Sequence, residues 1–359
     1  MPFATLAVFA ATIVSLGAAP ALAAEAARPV ELTISTTHTP NVPWVHVIKH
    51  HFVPEFRRRL RARTGTDDYR WIEVYGGALS KWQQSLETVA IGLADVGWVG
   101  TLWEPAKMPL QNITYHLPFI TDDLSALLRV FNRIHSELPG ASSAWSKQQQ
   151  VFLGASGVDT YHLLTRFPVR SLDDLRGRKI LAPGTSAVWL YGTGAVPVNG
   201  ALTSYYTQLK TGVADGVVSI LTGAHPYRIH EVAPYITLVG IGAQITGGLS
   251  VNADTWDRLP VEAQRILHDL GRETSELSAL ETQRRYSDAL AAMTAAGAIV
   301  TSLPPNEKQK WIDGLPEYGR DWVERNERKG LPARAMLTML MDGIRAAGLQ
   351  PQRDWDRYE

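Results

Sequence analysis

Aromatic and histidine side chains stand where several predicted strands end, and this placement favours ligand binding over catalysis. His38 and Trp44 flank the exit of the first predicted strand, while Trp98 ends the third and Trp103 follows it. Trp189 lies on a later predicted helix. Rigid indole rings suit a flat or amphipathic ligand, because small-molecule pockets are mostly apolar and aromatic. We predict that these five residues line a ligand site; for each tryptophan, packing in the core is the alternative.

Polar residues near these positions offer hydrogen bonds and charge. Arg166 follows a strand-like segment and could hold a ligand carboxylate, because an unpaired charge in a dry cleft costs several kcal/mol. A solvated loop position is the alternative, since arginine is almost never buried unpaired. Asn199 lies beyond a short strand, where it could bind a ligand or cap the next helix. We include Arg166 and Asn199 among the candidate site residues.

The sequence lacks the common catalytic motifs. No Gly-x-Ser-x-Gly follows a strand and no His-Glu-x-x-His lies on a helix. Asp173 and Asp174 are paired carboxylates, but Asp173 fits a helix N-cap better than a general acid. His46 and His50 have a spacing that could hold a metal, although no third ligand is fixed. We therefore predict no catalytic residue, no metal and no cofactor.

Composition restricts the partners. The 359-residue chain has 35 Lys and Arg, 35 Asp and Glu, and no Cys, and 45% of it is hydrophobic. Balanced charge removes the attraction that drives binding to phosphate backbones, so nucleic acid is not expected as a partner. The absence of cysteine excludes disulfides, thiolate metal sites and a lipid-modified cysteine. A chain of this size can bury the core of one large or two medium domains.

The first 24 residues form an apolar run that ends in small residues, including Ala21-Leu22-Ala23. This pattern is typical of a secretory signal peptide, and it predicts cleavage near Ala23. An uncleaved membrane anchor is the alternative, because the run begins without Lys or Arg. No later segment approaches the ~20 apolar residues that a spanning helix needs. We predict an exported, periplasmic protein that is not inserted in the membrane after cleavage.

Two series of alternating strands and helices must position the candidate residues. The first series has predicted strands at 31–36, 69–75 and 94–99, and predicted helices at 42–63 and 81–91. The second has predicted strands at 151–156, 161–164, 178–182, 196–198 and 215–220, and predicted helices at 185–191 and 203–212. This order is typical of parallel sheets covered by helices. It predicts two lobes, with the ligand in a crevice at the carboxyl ends of the strands.

A long helix is predicted from residue 260 to residue 296, interrupted only by Gly271. At 1.5 Å per residue such a helix is roughly 54 Å long, which exceeds the width of one lobe. We expect it to run along both lobes. Strand residues 298–303 and further helices after Pro305 complete the chain.

Four local patterns have a familiar order and spacing. They are Gly77-Ala78-Leu79-Ser80 with Ile91-Gly92-Leu93-Ala94-Asp95, then Leu117-Pro118-Phe119, then Asp174-Leu175-Arg176-Gly177-Arg178-Lys179-Ile180, and finally the segment from Tyr206 to Gly216. Together with the long helix, they resemble the solute-binding proteins of TRAP transporters, the DctP-type family, over nearly all of the mature length. The resemblance implies a two-lobe binding protein that takes small organic acids and works with membrane transporter subunits. Some relatives dimerise, so a homodimer is included among the expected partners.

Two positions depart from what the resemblance implies. A typical member carries an arginine directly after the Lys-Ile of the third pattern, where it binds the ligand carboxylate in a geometry that lysine cannot copy. Here that residue is Leu181. Many members also carry an asparagine after the Asp-Gly of the fourth pattern, where this chain has Val217-Val218-Ser219-Ile220. We include Leu181 and Ser219 in the candidate site and expect an atypical ligand.

The predicted fold class is α/β, a two-lobe periplasmic binding protein of the Venus-flytrap type with a long helix spanning both lobes. The predicted division is a signal peptide at 1–24, a first lobe at 25–152 to which part of 243–290 returns, and a second lobe at 153–242 on which part of 298–359 packs. The predicted function is a receptor that captures a small organic ligand and delivers it to a TRAP-type transporter. A periplasmic ligand sensor and a periplasmic hydrolase are the alternatives.

Overall fold

The computed structural model describes residues 1–3, 29–66 and 68–357. The predicted signal peptide and its cleavage point near Ala23 lie outside these residues, apart from the first three positions. Among the helices of the described residues, none combines the length and the apolar character that crossing a membrane requires.

Two sheets form the framework, as the two series of elements predict. The first sheet has the strand order β2-β1-β3-β10-β4, and the second has the order β11-β9-β5-β8-β6-β7. The strands of the first sheet are β1 (Val30–Ser35), β2 (Tyr69–Val74), β3 (Val96–Val99), β4 (Gln150–Val158) and β10 (Gln244–Asn252). Those of the second are β5 (Tyr161–Thr165), β6 (Lys179–Pro183), β7 (Val196–Gly200), β8 (Gly216–Ile220), β9 (Tyr235–Leu238) and β11 (Ile299–Ser302).

Helices cover these sheets. They are α1 (Pro43–Val47), α2 (Val53–Thr64), α3 (Ser85–Ala90), α4 (Leu124–Glu137), α5 (Pro139–Ser146), α6 (Leu202–Lys210), α7 (Leu221–Ala224), α8 (Ala253–Arg258), α9 (Val261–Ala295), α10 (Pro305–Asp313), α11 (Tyr318–Glu327) and α12 (Ala333–Ala346). A π-helical stretch, Ile48–Phe52, joins α1 to α2, so the predicted helix at 42–63 is nearly continuous. The predicted helix at 185–191 is a 3-10 helix, Gly184–Leu190.

The sheets are mixed, whereas the α/β order predicts purely parallel ones. Strands β1, β2 and β3 are parallel, and so are β6, β7 and β8. Strand β10 is antiparallel to β3 and β4, and β5 is antiparallel to β8 and β9. The reason is that β5 and β10 enter their sheets directly from the other sheet. Strands β5 and β10 therefore begin at the gap between the two sheets and run away from it, whereas the other strands run towards it.

Two short crossover segments, residues 159–160 and 239–243, connect the sheets. The chain leaves the first sheet after Val158, so the predicted division at 152 falls inside β4. Thr160 accepts a hydrogen bond from the backbone N–H of Gly242 at 2.9 Å, which ties one segment to the other. His162 Nδ1 accepts the backbone N–H groups of Val239 and Gly240, both at 3.1 Å. Its Nε2 must then carry the proton, and it donates to the Tyr286 hydroxyl of α9 at 2.8 Å.

The helix α9 contacts both sheets along its 35 residues. It packs on β4 at Gly271 and Gly154, where an added Cβ on Gly154 would lie only 2.2 Å from the Gly271 carbonyl oxygen. Towards its other end it contacts the second sheet through Tyr286. Gly271 therefore marks a close helix–strand contact and not a break. The predicted lobe-spanning helix is confirmed, beginning at Val261 because Pro260 is its N-cap.

The C-terminal elements divide between the two sheets. Strand β11 pairs with β9, and Trp311 of α10 donates its indole N–H to the backbone carbonyl of Trp189 at 2.6 Å. Helices α11 and α12 lie instead on the first-sheet side: α12 packs against α4. Trp322 of α11 donates to the Pro109 carbonyl at 3.3 Å.

Candidate functional site

A cavity lies between the two sheets. Its walls come from both halves of the molecule. The first-sheet side contributes His38, Trp44, Trp98, Leu102, Trp103, Val158 and Thr246; the second-sheet side contributes Tyr161, Pro183, Leu202, Tyr205, Ser219 and Ile220. Several of these residues end or follow strands that approach the gap. The cavity therefore occupies the crevice that the strand order predicts.

The first-sheet wall is an aromatic cluster. The His38 ring makes edge contacts with Trp44 and Trp98, at centroid separations of 5.4 and 5.3 Å. The ring centroids of Trp44 and Trp98 lie 6.4 Å apart with their planes inclined by 30°, and Trp103 meets Trp98 edge-on at 6.4 Å. All of these residues are buried except Trp103, which is half-buried. The sequence-predicted residues of this side thus lie together.

Two tyrosines, which the sequence reasoning missed, form much of the second-sheet wall. Tyr161 begins β5 directly after the crossover, and Tyr205 lies on α6. Both are buried, and burial raises the pKa of each phenol above its ordinary value. Trp189 does not line the cavity: it makes an edge contact with Tyr161 at 5.1 Å and stacks on Tyr115 at 5.4 Å. It supports the wall from behind.

The cavity lining carries no Asp, Glu, Lys or Arg among the residues that the structure describes. Burial lowers the pKa of His38 to about 4, so its imidazole is neutral at pH 7. Its Nδ1 lies 2.9 Å from the Thr37 hydroxyl. Two carboxylates directly follow lining residues in the chain, Glu104 after Trp103 and Asp159 after Val158. Asp159 accepts the backbone N–H of Leu221 at 3.0 Å. The site is therefore aromatic and uncharged.

Indole N–H groups in the cluster differ in whether they are paired. Trp98 donates to the Ser156 hydroxyl at 2.8 Å. The indole nitrogens of Trp44 and Trp103 are buried and, within the described part of the chain, have no hydrogen-bond acceptor. A buried donor without an acceptor costs about 1 to 3 kcal/mol. Trp44 and Trp103 thus each carry a buried donor that has no partner in the described part of the chain.

Leu181 and Val217, the two departures from the resemblance, are neighbours in the structure. They are register partners on the parallel strands β6 and β8, and both are fully buried. Leu181 packs behind the cavity wall, since its side chain and that of Tyr205 both approach the backbone of Gly200. Apolar packing thus fills the positions where the resemblance implies a polar pair. Neither residue lines the cavity.

The other sequence-predicted residues have separate locations. Ser219 lines the cavity and is buried. Arg166 and Asn199 are exposed and do not line it. The sequence predicts Asp173 as a helix N-cap, and this is wrong. Asp173 lies inside a short 3-10 helix, Leu172–Leu175, whose N-cap is Ser171. Asp174 completes the capping box, because its carboxylate accepts the Ser171 N–H.

The histidines on the first helix are engaged locally. The rings of His46 and His50 lie 4.4 Å apart, and His51 contacts Glu273 of α9 at 3.3 Å. Across residues 1–3, 29–66 and 68–357, no three His, Asp or Glu side chains are close enough together to hold a metal ion.

A second, wider hollow of about 1250 Å³ lies beside the crossover segments. Asp122, Asp123 and Asp159 line it together with His162 and Tyr286. It is acidic and opens along α9, whereas the aromatic cavity lies between the sheets. We therefore take the aromatic cavity as the candidate ligand site.

Comparison with known proteins identifies the group to which the chain is related. The sequence profile of the bacterial extracellular solute-binding proteins, family 7 (DctP), matches residues 46–326. The chain belongs to this family. It is 26% identical over 152 residues to a solute-binding protein of Sulfitobacter sp. (strain NAS-14.1), and 24% identical over 264 residues to the C4-dicarboxylate-binding periplasmic protein DctP of Rhodobacter capsulatus.

These alignments cover different shares of each protein. The first covers 42% of this chain and 46% of the Sulfitobacter protein, so it spans less than half of that relative. The second covers 71% of this chain and 77% of the Rhodobacter protein. A TRAP solute-binding protein from Rhodoferax ferrireducens T118, solved with copurified benzoate, has a TM-score of 0.78 at 18% identity, covering 89% of this chain and 98% of that one. The two-lobe α/β fold of this DctP-family chain is therefore confirmed.

Proposed function

We propose that this chain is a periplasmic receptor that captures a small organic molecule between two lobes and delivers it to the membrane subunits of a TRAP-type transporter. The observation that carries the proposal is the cavity between the sheets, which has walls from both sides. A ligand there contacts both lobes at once. It favours the closed arrangement by its differential affinity for that arrangement over the open one.

The lobes that close are the two sheet-centred halves, with the crossover segments 159–160 and 239–243 as the hinge. The first lobe, predicted at 25–152, then extends to the end of β4 and also includes β10. The second lobe begins at β5. Helix α9 runs along both. In this proposal the Thr160–Gly242 hydrogen bond holds the two crossover segments together while the lobes move. His162 of β5 ties the segment 239–243 to β5 and to α9.

The ligand-contacting residues that we propose are His38, Trp44, Trp98, Trp103 and Ser219, joined by Tyr161 and Tyr205. Leu181 and Trp189 act from behind the wall by packing. Arg166 and Asn199 are left out of the proposed contacts because their side chains are exposed away from the cavity. The relatives support the class of activity: the Rhodoferax protein was solved with benzoate, and the Rhodobacter protein is named for binding C4-dicarboxylates.

A thermal-shift screen tests capture. Dicarboxylates, monocarboxylates, aromatic acids and uncharged amphipathic compounds are added separately to the purified protein. At least one class is expected to raise the melting temperature, since a ligand at 100 times its Kd stabilises the folded state by about 2.7 kcal/mol. Absence of any shift across all four classes would remove the receptor function. We propose binding without turnover, so each stabilising compound is recovered unchanged after incubation.

Delivery and location have their own tests. Uptake of the stabilising compound into cells is expected to require both this chain and a pair of TRAP-type membrane subunits. Uptake that persists without those subunits would contradict delivery and favour a sensor. Cell fractionation is expected to recover the chain from the periplasm, with an N-terminus just after Ala23.

A further inference from the structure

Within the receptor function proposed above, we propose that the ligand is uncharged: a flat, largely apolar molecule whose oxygen accepts hydrogen bonds from the indole N–H groups of Trp44 and Trp103. The proposal rests on three features of the cavity, which are its lack of charge, its aromatic walls and its two unpaired donors.

The lack of charge extends to the layer behind the wall. The cavity lining has no cationic side chain in the described residues, and Leu181 and Val217 fill the adjoining sheet positions with hydrocarbon. A carboxylate buried here would find no guanidinium or ammonium partner, and an unpaired buried charge is strongly disfavoured. Asp159, directly after Val158, makes the surroundings less favourable still for an anion. A neutral ligand meets none of these penalties.

The walls select for shape. Trp44 and Trp98 lie within 30° of parallel, and Tyr161 and Tyr205 come from the opposite lobe. Aromatic faces on both sides favour a planar molecule, which gains offset-stacked and edge contacts. A polyhydroxylated ring would leave its hydroxyl groups without partners against these faces.

The two unpaired indole donors select for an acceptor. Trp44 and Trp103 both line the cavity, and both nitrogens are buried without an acceptor in the described part of the chain. A carbonyl, amide or ether oxygen can accept from them. A quaternary ammonium ion can stack on indole faces as well, but it offers no acceptor and leaves both donors unpaired. The neutral acceptor therefore fits better than the cation.

Matched probes of nearly equal shape test the charge. Benzamide, benzoate and phenyltrimethylammonium, together with indole-3-acetamide and indole-3-acetate, are titrated calorimetrically into the purified full-length protein at pH 7. The amides are expected to bind at least 100-fold more tightly than the corresponding acids and than the cation. Trp44→Phe keeps an aromatic ring but removes the donor. It is expected to weaken the affinity for benzamide about 3- to 10-fold, which is the range of one net hydrogen bond. The control Trp256→Phe, outside the cavity, is expected to leave the affinity unchanged.

The outcomes separate this inference from the receptor function. Tighter binding of either acid or of the cation would overturn the uncharged class while leaving a working receptor. Binding of C4-dicarboxylates or sugar acids with none of the aromatic probes would do the same. If no compound of any class shifts the melting temperature, the receptor function itself fails. A Trp44→Phe protein with unchanged melting temperature and unchanged benzamide affinity would remove the donor role of Trp44.

Discussion

At the scale of single residues, Trp98 connects the aromatic residues of the first-sheet wall. Its ring contacts His38, Trp44 and Trp103, and its N–H is held by Ser156. This hydrogen bond satisfies the indole N–H of Trp98, which therefore needs no acceptor from a ligand. We accordingly propose that Trp98 offers the ligand a contact surface, and that Trp44 and Trp103 also offer donors.

Replacing Trp98 with alanine is expected to weaken ligand binding at least tenfold. Loss of a large apolar contact surface is worth about 1.5 to 3 kcal/mol, and each 1.4 kcal/mol is about a factor of ten in Kd. The affinity is measured by calorimetry with the compound that gives the largest thermal shift. Trp256→Ala is the matched control, because Trp256 is half-buried and does not line the cavity. Equal affinities of the two variants would exclude Trp98 from the site.

Protonation of His162 is expected to break its hydrogen bonds to the crossover segment 239–243, because Nδ1 then carries a proton and cannot accept the N–H groups of Val239 and Gly240. Burial lowers the pKa of His162 to about 3, from an ordinary value of 6.5. In the unfolded chain this group takes up a proton as the pH falls below 6.5, while the folded protein keeps it neutral until the pH nears 3. The contribution of His162 to stability is therefore complete above pH 6.5 and is progressively lost as the pH falls towards 3.

A comparison of wild type with His162→Gln isolates this contribution. The wild type is expected to be the more stable at pH 7, and its advantage is expected to shrink by about 3 kcal/mol by pH 4, because each pH unit below 6.5 removes about 1.4 kcal/mol. Asp159, whose pKa burial raises to about 6, changes stability in the opposite direction, but it does so in both proteins. Urea unfolding at several pH values measures the difference. An advantage that stays constant with pH would contradict the neutral buried imidazole.

Sequence reasoning recovered those elements whose pattern is local. Strands β1 and β2 and the helix α9 follow from alternation and helical spacing. Strand β10 was missed because all nine of its residues are buried and its sequence, with Gly247 and Gly248, does not alternate. Glycine is required here by close tertiary packing, because an added Cβ on Gly247 would lie 1.8 Å from the Val99 carbonyl oxygen. Helix α4 is also absent from the predicted elements, although its N-cap is a local signal: Asp123 accepts the Ala126 N–H at 2.8 Å.

The candidate site was predictable on one side only. His38, Trp44, Trp98 and Trp103 follow or end strands that the sequence reveals, so their convergence could be expected. Tyr161 and Tyr205 reach the cavity because the second sheet is set opposite the first by the crossover segments. That placement depends on β10 and on long-range hydrogen bonds, which leave no spacing in the sequence to detect.

The contact between α9 and β4 is expected to be intolerant of a single methyl group. Gly154→Ala would press Cβ against the backbone of Gly271, so that helix and strand must move apart. Overpacking of this kind costs about 1 to 3 kcal/mol in the free energy of unfolding. Urea denaturation measures it.

Glu276→Ala, on the exposed side of the same helix, is the control for this contact. It is expected to change the free energy of unfolding by less than about 0.5 kcal/mol. A Gly154→Ala protein as stable as wild type would show that the helix is not held tightly on the strand.

At the scale of the whole molecule, we take this arrangement of the two halves to be the closed state of the proposed receptor. Every residue that lines the cavity is buried except Trp103, so we expect a ligand to enter when the two sheets separate. Connections between the halves are few along the chain, and α9 spans both. Separation therefore requires changes at the crossover segments, along one face of the helix and at the connection between α10 and α11, which is a hinge motion. Dimer formation stays a prediction for which sedimentation velocity is the direct check.

Small-angle X-ray scattering, with and without the compound that gives the largest thermal shift, tests the central claim most directly. The ligand-free protein is expected to have a radius of gyration larger than the value calculated from the closed structure, and saturating ligand is expected to reduce it to that value. An identical radius in both conditions, with binding confirmed in the same sample by calorimetry, would contradict capture by closure of the two lobes.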